Sequence, residues 1–215
     1  MTEFRKYPSI PRYRKDIQVT EKIDGTNAAV LITDTAEYTY EEYKQVPEEE
    51  ISSSGPSYRV QAQSRSRIIT PGKKTDNHGF AAWTYANAEA LAALLGPGCH
   101  YGEWWGSGIN RGYGLKNGEK HFTLFNRDRY ADLEPTPLLS RVPLLYEGPA
   151  SYRAGGHLVD AVEFTMANLK LTGSKTPFAS GYDNPEGVVV FHTASRNLYK
   201  VTYEYDEGKW TRKDT

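Results

Sequence analysis

The segment Glu21-Lys22-Ile23-Asp24-Gly25-Thr26-Asn27 sets a lysine two residues ahead of a carboxylate and three ahead of a glycine. It falls where one predicted strand ends and the next begins. The glycine permits a tight turn there, which leaves the lysine amine projecting from a strand end into a cleft. Such an amine is a nucleophile once it has lost its proton. Taken alone the pattern is weak: a chain of this length meets Lys-x-Asp-Gly by chance roughly once in forty sequences at average residue frequencies, and a surface hairpin turn accounts for it equally. Further segments follow in order: Ser64-Arg65-Ser66-Arg67, Tyr101-Gly102-Glu103-Trp104-Trp105-Gly106, Phe122-Thr123-Leu124-Phe125-Asn126-Arg127, Pro185-Glu186-Gly187-Val188-Val189-Val190 and Leu198-Tyr199-Lys200-Val201.

Together, and in this order, these segments resemble the successive nucleotidyltransferase motifs of ATP-dependent polynucleotide ligases, from about Ile17 to Thr202. An ordered set is far more specific than any one member. Lys-Ile-Asp-Gly-Thr-Asn with Tyr-Gly-Glu-Trp-Trp-Gly looks like the phage-type RNA ligases that seal nicks. DNA ligases and messenger-RNA capping enzymes typically carry arginine where this chain has Asn27. That disfavours a capping enzyme and leaves DNA ligation open. A nucleotide-binding module that has lost catalysis is the alternative from another class. Retention of Lys22, Glu103, Glu186 and Lys200 argues against it, since binding alone needs no nucleophile.

The resemblance implies a chemistry for each residue. Lys22 takes AMP from ATP, passes it to a 5′-phosphate end, and a 3′-hydroxyl then displaces it. A lysine is mostly protonated at neutral pH, so nearby cations (Arg65, Lys200, a divalent metal) and partial desolvation must favour the free amine. Lys22, Asp24 and Lys200 are the catalytic candidates. Glu21, Asn27, Arg65, Glu103, Phe125 and Lys200 join Lys22 as the nucleotide contacts: Arg65 at the ribose or terminal phosphate, Glu103 at the ribose hydroxyls, Phe125 stacked on adenine. Phe122 is the reserve for that ring, and its plainer reading is core packing. Glu186 matches the carboxylate that holds Mg²⁺ or Mn²⁺, and it opens an apolar Val188-Val189-Val190 run that reads as a buried strand. Asp24 orients Lys22 or the metal.

Two departures stand out. The last motif usually has two lysines one residue apart, whereas this chain has Lys200-Val201-Thr202, with Lys209 the nearest substitute beyond the Asp206-Glu207-Gly208 turn. Only 13 residues follow the motif, so the expectation is a single minimal nucleotidyltransferase domain over 1–215, without an appended OB-fold or C-terminal domain. Such a core clamps RNA or DNA poorly or depends on an accessory protein.

Positioning these residues takes a sheet-rich scaffold. Glycine-containing turns separate predicted strands Ile17–Lys22, Asn27–Thr33, Tyr58–Ser64, His100–Glu103, His121–Asn126, Gly187–His192 and Asn197–Glu204. Helices are predicted over Phe80–Leu95, stopped by Gly96-Pro97, and over His157–Leu169. Strands and helices do not alternate, so the pattern reads as α+β with antiparallel sheets. The resemblance specifies this further as an ATP-grasp-like ligase core with flanking helices.

Composition limits the remaining classes. No apolar run approaches the ~20 residues a membrane span needs, and the N-terminus lacks a signal-peptide core. The single Cys99 forms no internal disulfide, which makes a reducing cytosol the default compartment, a host's cytoplasm for a phage-encoded chain. Sixteen tyrosines and four tryptophans offer flat surfaces for bases. The net charge of −1 conceals seven acidic residues and one lysine between Asp34 and Glu50, leaving a net +5 on the rest. Tyr38–Pro56 reads as a solvated acidic loop. Arg5, Lys6, Arg12, Arg14 and Lys15 suit either phosphate contact or a solvated arm. His78, His100, His121, His157 and His192 lack metal-ligand spacing and read as structural or surface residues. Of Trp104 and Trp105, one is expected to be buried and the other could stack on a base.

Overall fold

Alternation along Asp16–Lys22 is strict. Ile17, Val19 and Glu21 are buried, while Gln18, Thr20 and Lys22 are partly exposed, as a strand with one covered face requires. The computed structural model describes residues 4–12, 15–34 and 58–204. Arg14, the acidic segment over 35–57 and Lys209 with its turn lie outside the described residues. The elements are β1 (Asp16–Lys22), β2 (Thr26–Asp34), β3 (Tyr58–Ser64), β4 (Ile68–Ile69), α1 (Phe80–Ala86), α2 (Ala88–Leu95), β5 (Gly98–Gly106), β6 (Lys120–Leu124), β7 (Leu139–Arg141), β8 (Leu144–Pro149), β9 (Ser151–Ala154), β10 (His157–Asp160), α3 (Ala161–Thr172), β11 (Gly187–His192) and β12 (Asn197–Thr202). This is a mixed α+β architecture in which the sheets are antiparallel except for the β6–β7 pair.

Two compact units emerge, Met1–Lys22 with Pro143–Thr215, and Ile23–Val142. The first contains a four-stranded sheet in the order β12-β11-β1-β8 and the β9–β10 hairpin. Ile17, Val19, Val188 and Val190 pack with Ala161 and Leu169 of α3 to form its core. The second contains a six-stranded sheet in the order β4-β3-β2-β5-β6-β7. One face of that sheet, carrying Ala28, Val30, Ile32, Val60, Ala62, Trp104, Phe122 and Leu124, packs on Phe80 and Ala81 of α1 and on Ala88, Leu91 and Ala92 of α2.

Two sequence-based expectations change. The Phe80–Leu95 helix is two helices that break at Asn87, whose φ is −115°. The Asn87 side chain donates to the Trp83 carbonyl at 2.8 Å, the local competition with the helix ladder that asparagine favours. The helix over His157–Leu169 begins instead at Ala161. Asp160 caps it, its Oδ1 accepting from Val162 N and Glu163 N, and His157–Asp160 pair with β9. Gly155 and Gly156 turn that hairpin with φ of 56° and 83°, the left-handed pair a two-residue type I′ connection needs. Leu158 is therefore an exposed strand residue rather than part of a helix face.

Candidate active site

Strand pairing brings Lys22 and Glu186 together across most of the chain. β1 is central in its sheet, and its register on β11 runs from Ile17↔His192 to Lys22↔Gly187. Glu186, one residue before β11, thus arrives beside the end of β1. The Lys22 Nζ stands 2.5 Å from Glu186 Oε2, with both side chains mostly buried. Gly187 is required by close approach: a Cβ there would stand 2.7 Å from the Thr202 Cα of β12 and collide with the Val201 carbonyl.

Lys200 is exposed on β12, in register with Val189, which in turn pairs with Thr20. Period-two alternation therefore carries Lys200 to the same sheet face as Thr20 and Lys22. Thr202, where the second lysine was expected, is in register with Gly187 and so in the row of Lys22. Its hydroxyl donates to the Glu204 carbonyl at 2.9 Å, and no cation stands at that position.

Glu21 faces the other way. Its side chain is 1% exposed, and Oε2 accepts from Lys175 N at 2.7 Å. Burial pushes its carboxyl above the ordinary carboxylate range, against the pull of the Ser174 hydroxyl and the amides of Lys175 and Thr176. Tyr203, whose hydroxyl donates to Met166 O, is pushed up to about 12 by burial and then by the Glu21 charge. The strand therefore separates the nominated neighbours: Lys22 lies on one face, and the Glu21 carboxylate secures the loop after α3 on the other.

The second unit gathers another set. Asn27, Glu103 and Thr123 stand opposite one another on β2, β5 and β6, with Ser140 of β7 next in the row. This is the sheet face away from α1 and α2. Thr123 Oγ1 accepts from Trp105 Nε1 at 2.8 Å and meets Ser140 Oγ at 2.7 Å. Glu103 Oε1 accepts from Gly25 N at 3.0 Å. Phe125 follows β6, its N–H donating to Tyr101 O at 3.0 Å, and alternation carries its ring to the Asn27–Glu103 face. The ring is 38% exposed, whereas Phe122 is fully buried on the opposite face against Phe80 and Trp83. Arg65 is exposed in the β3–β4 connection, where Ser64 N donates to Arg67 O at 2.8 Å.

Gly25 is needed for a different reason than the one expected. Its φ is not in the left-handed region. A Cβ there would collide with the Trp104 carbonyl and stand 2.7 Å from the Trp105 Cβ, so the turn lies directly on β5. Both tryptophans are buried, and Trp104 Nε1 donates to the His78 carbonyl, which leaves neither indole exposed for a base.

Sequence reasoning missed the residues that hold this turn. Asp24 N donates to the Tyr113 hydroxyl at 3.0 Å. Asn110 Nδ2 donates to Asp24 Oδ1 at 2.8 Å and to Gly25 O at 2.6 Å, and Arg111 Nε pairs with Asp24 Oδ2 at 3.0 Å. The available signal was the glycine density of Gly106-Ser-Gly-Ile-Asn-Arg-Gly-Tyr-Gly114, which marks unusual backbone directly after a motif.

The histidines serve the fold or the surface. His100, fully buried, meets Tyr130 Oη at 2.8 Å and Gly96 O at 2.9 Å. The carbonyl can only accept, so Nε2 carries the hydrogen and Nδ1 accepts from tyrosine. Burial pulls its pKa below the ordinary histidine value. His121 and His192 are buried beside Glu119 and Ser195, and His78 and His157 are exposed. Among the described residues, no three His, Cys, Asp or Glu side chains are grouped to hold a metal ion.

A family model for RNA ligases matches residues 15–202. The chain belongs to the RNA ligase family. That places it among enzymes that ligate RNA, with nucleic acid as the substrate class. Among curated proteins, none matches the chain. Every nominated site residue of this RNA ligase family member lies within the matched span. No helix among its described residues is long and apolar enough to cross a membrane.

Proposed function

We propose that this chain is an ATP-dependent RNA ligase that seals 3′-hydroxyl to 5′-phosphate ends, at nicks above all, through an AMP carried covalently on Lys22. The observation that carries the reading is the Lys22–Glu186 pair at 2.5 Å. An amine at a strand end is held by a carboxylate that orients it, and an oriented amine at a cleft is what a lysine nucleophile needs.

In the first step the Lys22 ammonium gives up a proton to water and Nζ attacks the α-phosphorus of ATP. The N–P bond forms as the bond to pyrophosphate breaks. Next, a 5′-phosphate oxygen attacks the same phosphorus; the N–P bond breaks and the amine regains a proton. Finally the 3′-hydroxyl attacks the 5′-phosphate phosphorus and AMP leaves with the bridging oxygen. Such transfers depend on positioning and charge neutralisation, which we assign to Arg65 and Lys200 for phosphates, Glu103 and Asn27 for the ribose, and Phe125 for the adenine face. Asp24, engaged by Asn110 and Arg111, shapes the turn.

A divalent cation fits the donor set in one way. Glu186 offers a single carboxylate, the other oxygen ligands would come from phosphates and water, and this is how Mg²⁺ is ordinarily held at phosphate sites. Bound there, Mg²⁺ or Mn²⁺ would offset the charge of the transferring phosphate. Once Lys22 is neutral, Glu186 retains a negative charge suited to that cation.

The test is incubation with α-labelled ATP and Mg²⁺ followed by denaturing electrophoresis. Label should remain on the wild-type chain and be absent from Lys22→Ala. Equal labelling of the two would overturn the proposal. Sealing of matched nicks with ribose or deoxyribose at the 3′-hydroxyl side reports the strand preference.

A further inference from the structure

The segment between β5 and β6 is folded at a conformational cost. Asn110 and Tyr113 have φ of 42° and 50°, and Gly108, Gly112 and Gly114 have positive φ as well. Asparagine tolerates the left-handed region; tyrosine rarely adopts it. Strain of this kind persists where surrounding contacts over-determine it, and here they do. Ile109 is buried and bridges back to Gly106. The Tyr113 ring is 2% exposed and meets Trp105 edge-on at 5.2 Å.

Anchored at these two points, the segment turns its polar groups onto Asp24 and Gly25. Asn110 holds one Asp24 carboxylate oxygen and the Gly25 carbonyl, Arg111 pairs with the other carboxylate oxygen, and the Tyr113 hydroxyl accepts from the Asp24 amide. Glu103 takes the Gly25 amide. The turn's amides, its glycine carbonyl and its carboxylate are thus all engaged, far more fastening than a chain reversal requires.

We infer that Asn110, Arg111 and Tyr113 are positioning residues for the adenylylation step: they fix the Asp24-Gly25 turn that follows the nucleophilic lysine in the chain, and Arg111 neutralises the carboxylate two residues beyond it. This rests on the reading of Lys22 as the AMP acceptor. Positioning acts on the rate of attack and not on ATP affinity, and a displacement of about 1 Å can cost about 100-fold.

Tyr113→Phe removes the acceptor and keeps the ring on Trp105, while Asn110→Gly removes two donated hydrogen bonds and still adopts the positive φ of that position. Rates of lysyl-AMP formation in single turnovers at saturating ATP should fall about 10- to 100-fold in each, with the ATP concentration for half-maximal rate and the melting temperature close to wild type. Arg111→Lys should recover more of the rate than Arg111→Ala. Sealing of a pre-adenylylated nick without ATP uses no lysine nucleophile and should stay near wild type. A wild-type chain that takes no label on Lys22 overturns the underlying reading and this inference with it. A wild type that labels while Tyr113→Phe and Asn110→Gly label at its rate overturns the inference alone. So does a parallel loss of melting temperature, ATP affinity and pre-adenylylated sealing, which marks a role in folding only.

Discussion

Two phenylalanines three residues apart should respond to the same substitution in opposite ways. Phe122 is fully buried, its ring centroid 5.0 Å from Phe80 and 5.7 Å from Trp83. Aromatic pairs contribute about 0.5–1.5 kcal/mol each beyond area burial, so Phe122→Leu, which nearly conserves volume, should cost about 1–3 kcal/mol. In a protein of this size that lowers the melting temperature by about 2–12 °C. Phe125 is 38% exposed, and substitutions at such surfaces usually change stability by less than about 0.5 kcal/mol, a shift of under about 2 °C. Its ring lies on the Asn27–Glu103 face and is assigned to adenine. Base–aromatic stacking is worth about 1–3 kcal/mol, so Phe125→Leu should raise the ATP concentration for half-maximal lysyl-AMP formation about 5- to 150-fold. Thermal melts and an ATP titration of self-labelling on the two variants give four numbers with a crossed pattern. An unchanged ATP requirement in Phe125→Leu refutes the stacking assignment. A raised ATP requirement in Phe122→Leu at unaltered melting temperature refutes the inference from burial to core packing.

Three more outcomes follow from the geometry. Glu186→Gln keeps shape and hydrogen-bonding reach while removing charge, and adenylylation should drop at least ~100-fold, the scale for losing electrostatic stabilisation of a transferring group; an unchanged rate in Mg²⁺ would move the metal-holding role to another carboxylate. Gly25→Ala pushes a methyl into β5, where the Trp104 carbonyl cannot yield without shifting the strand, so the melting temperature should fall by about 2–12 °C for an overpacking cost of about 1–3 kcal/mol, together with loss of self-labelling; wild-type labelling by Gly25→Ala would mean the turn relaxes freely. Glu21 binds its proton more tightly folded than unfolded, so its contribution to stability is full below the ordinary carboxyl value of 4.5 and is lost as pH rises through the higher folded value. The melting temperature of Glu21→Gln minus that of wild type should therefore grow as pH rises above 4.5, and a difference independent of pH would show that the carboxyl titrates alike in both states.

Local patterning made much of the sheet scaffold legible. Tyr58–Ser64 and Gly187–His192 form strands over the expected bounds, because β-branched and alternating residues there end at turns. Two local signals mark where the third helix begins. Asp160-x-x-Glu163 is a helix start, and Gly155-Gly156 between Tyr152 and Leu158 is a hairpin turn; Leu158, Val162 and Leu169 also stand at helical spacing, and that pattern extends the predicted helix back across the hairpin. Asn87 was hidden within an alanine-rich run that continues helical on either side. The 106–114 segment is of another kind. Its glycines announce irregular backbone, but that Asn110 and Arg111 grip Asp24 depends on the anchoring of Ile109 and Tyr113, which no spacing encodes.

The Lys22–Glu186 pair shows how much of a site can be inherited from a core. The partners are 164 residues apart, and nothing near either one names the other. Their meeting is set by the register of β1 on β11, in which buried Ile17 and Val19 share a face with buried Val188 and Val190. Because side chains alternate with period two, a slip of β1 by one residue would move every side chain to the other face. Ile17 and Val19 would leave the core, and Gln18 and Thr20 would enter it. Such a slip forfeits the burial of two large aliphatic side chains, about 1.5–3 kcal/mol each, and it would also place the Lys22 ammonium where Glu21 now lies buried. Burying an unpaired charge is costlier still. The apolar pattern of two short strands is therefore enough to exclude the neighbouring registers, and the register that survives leaves Lys22 at a strand end with Glu186 beside it. The spacing of Ile17, Val19 and Lys22 on one strand, and of Glu186, Val188 and Val190 on the other, is a statement about the core and about the chemistry at once. Substitutions at Val19 or Val188 that loosen this register should disturb the amine–carboxylate pair without touching either group.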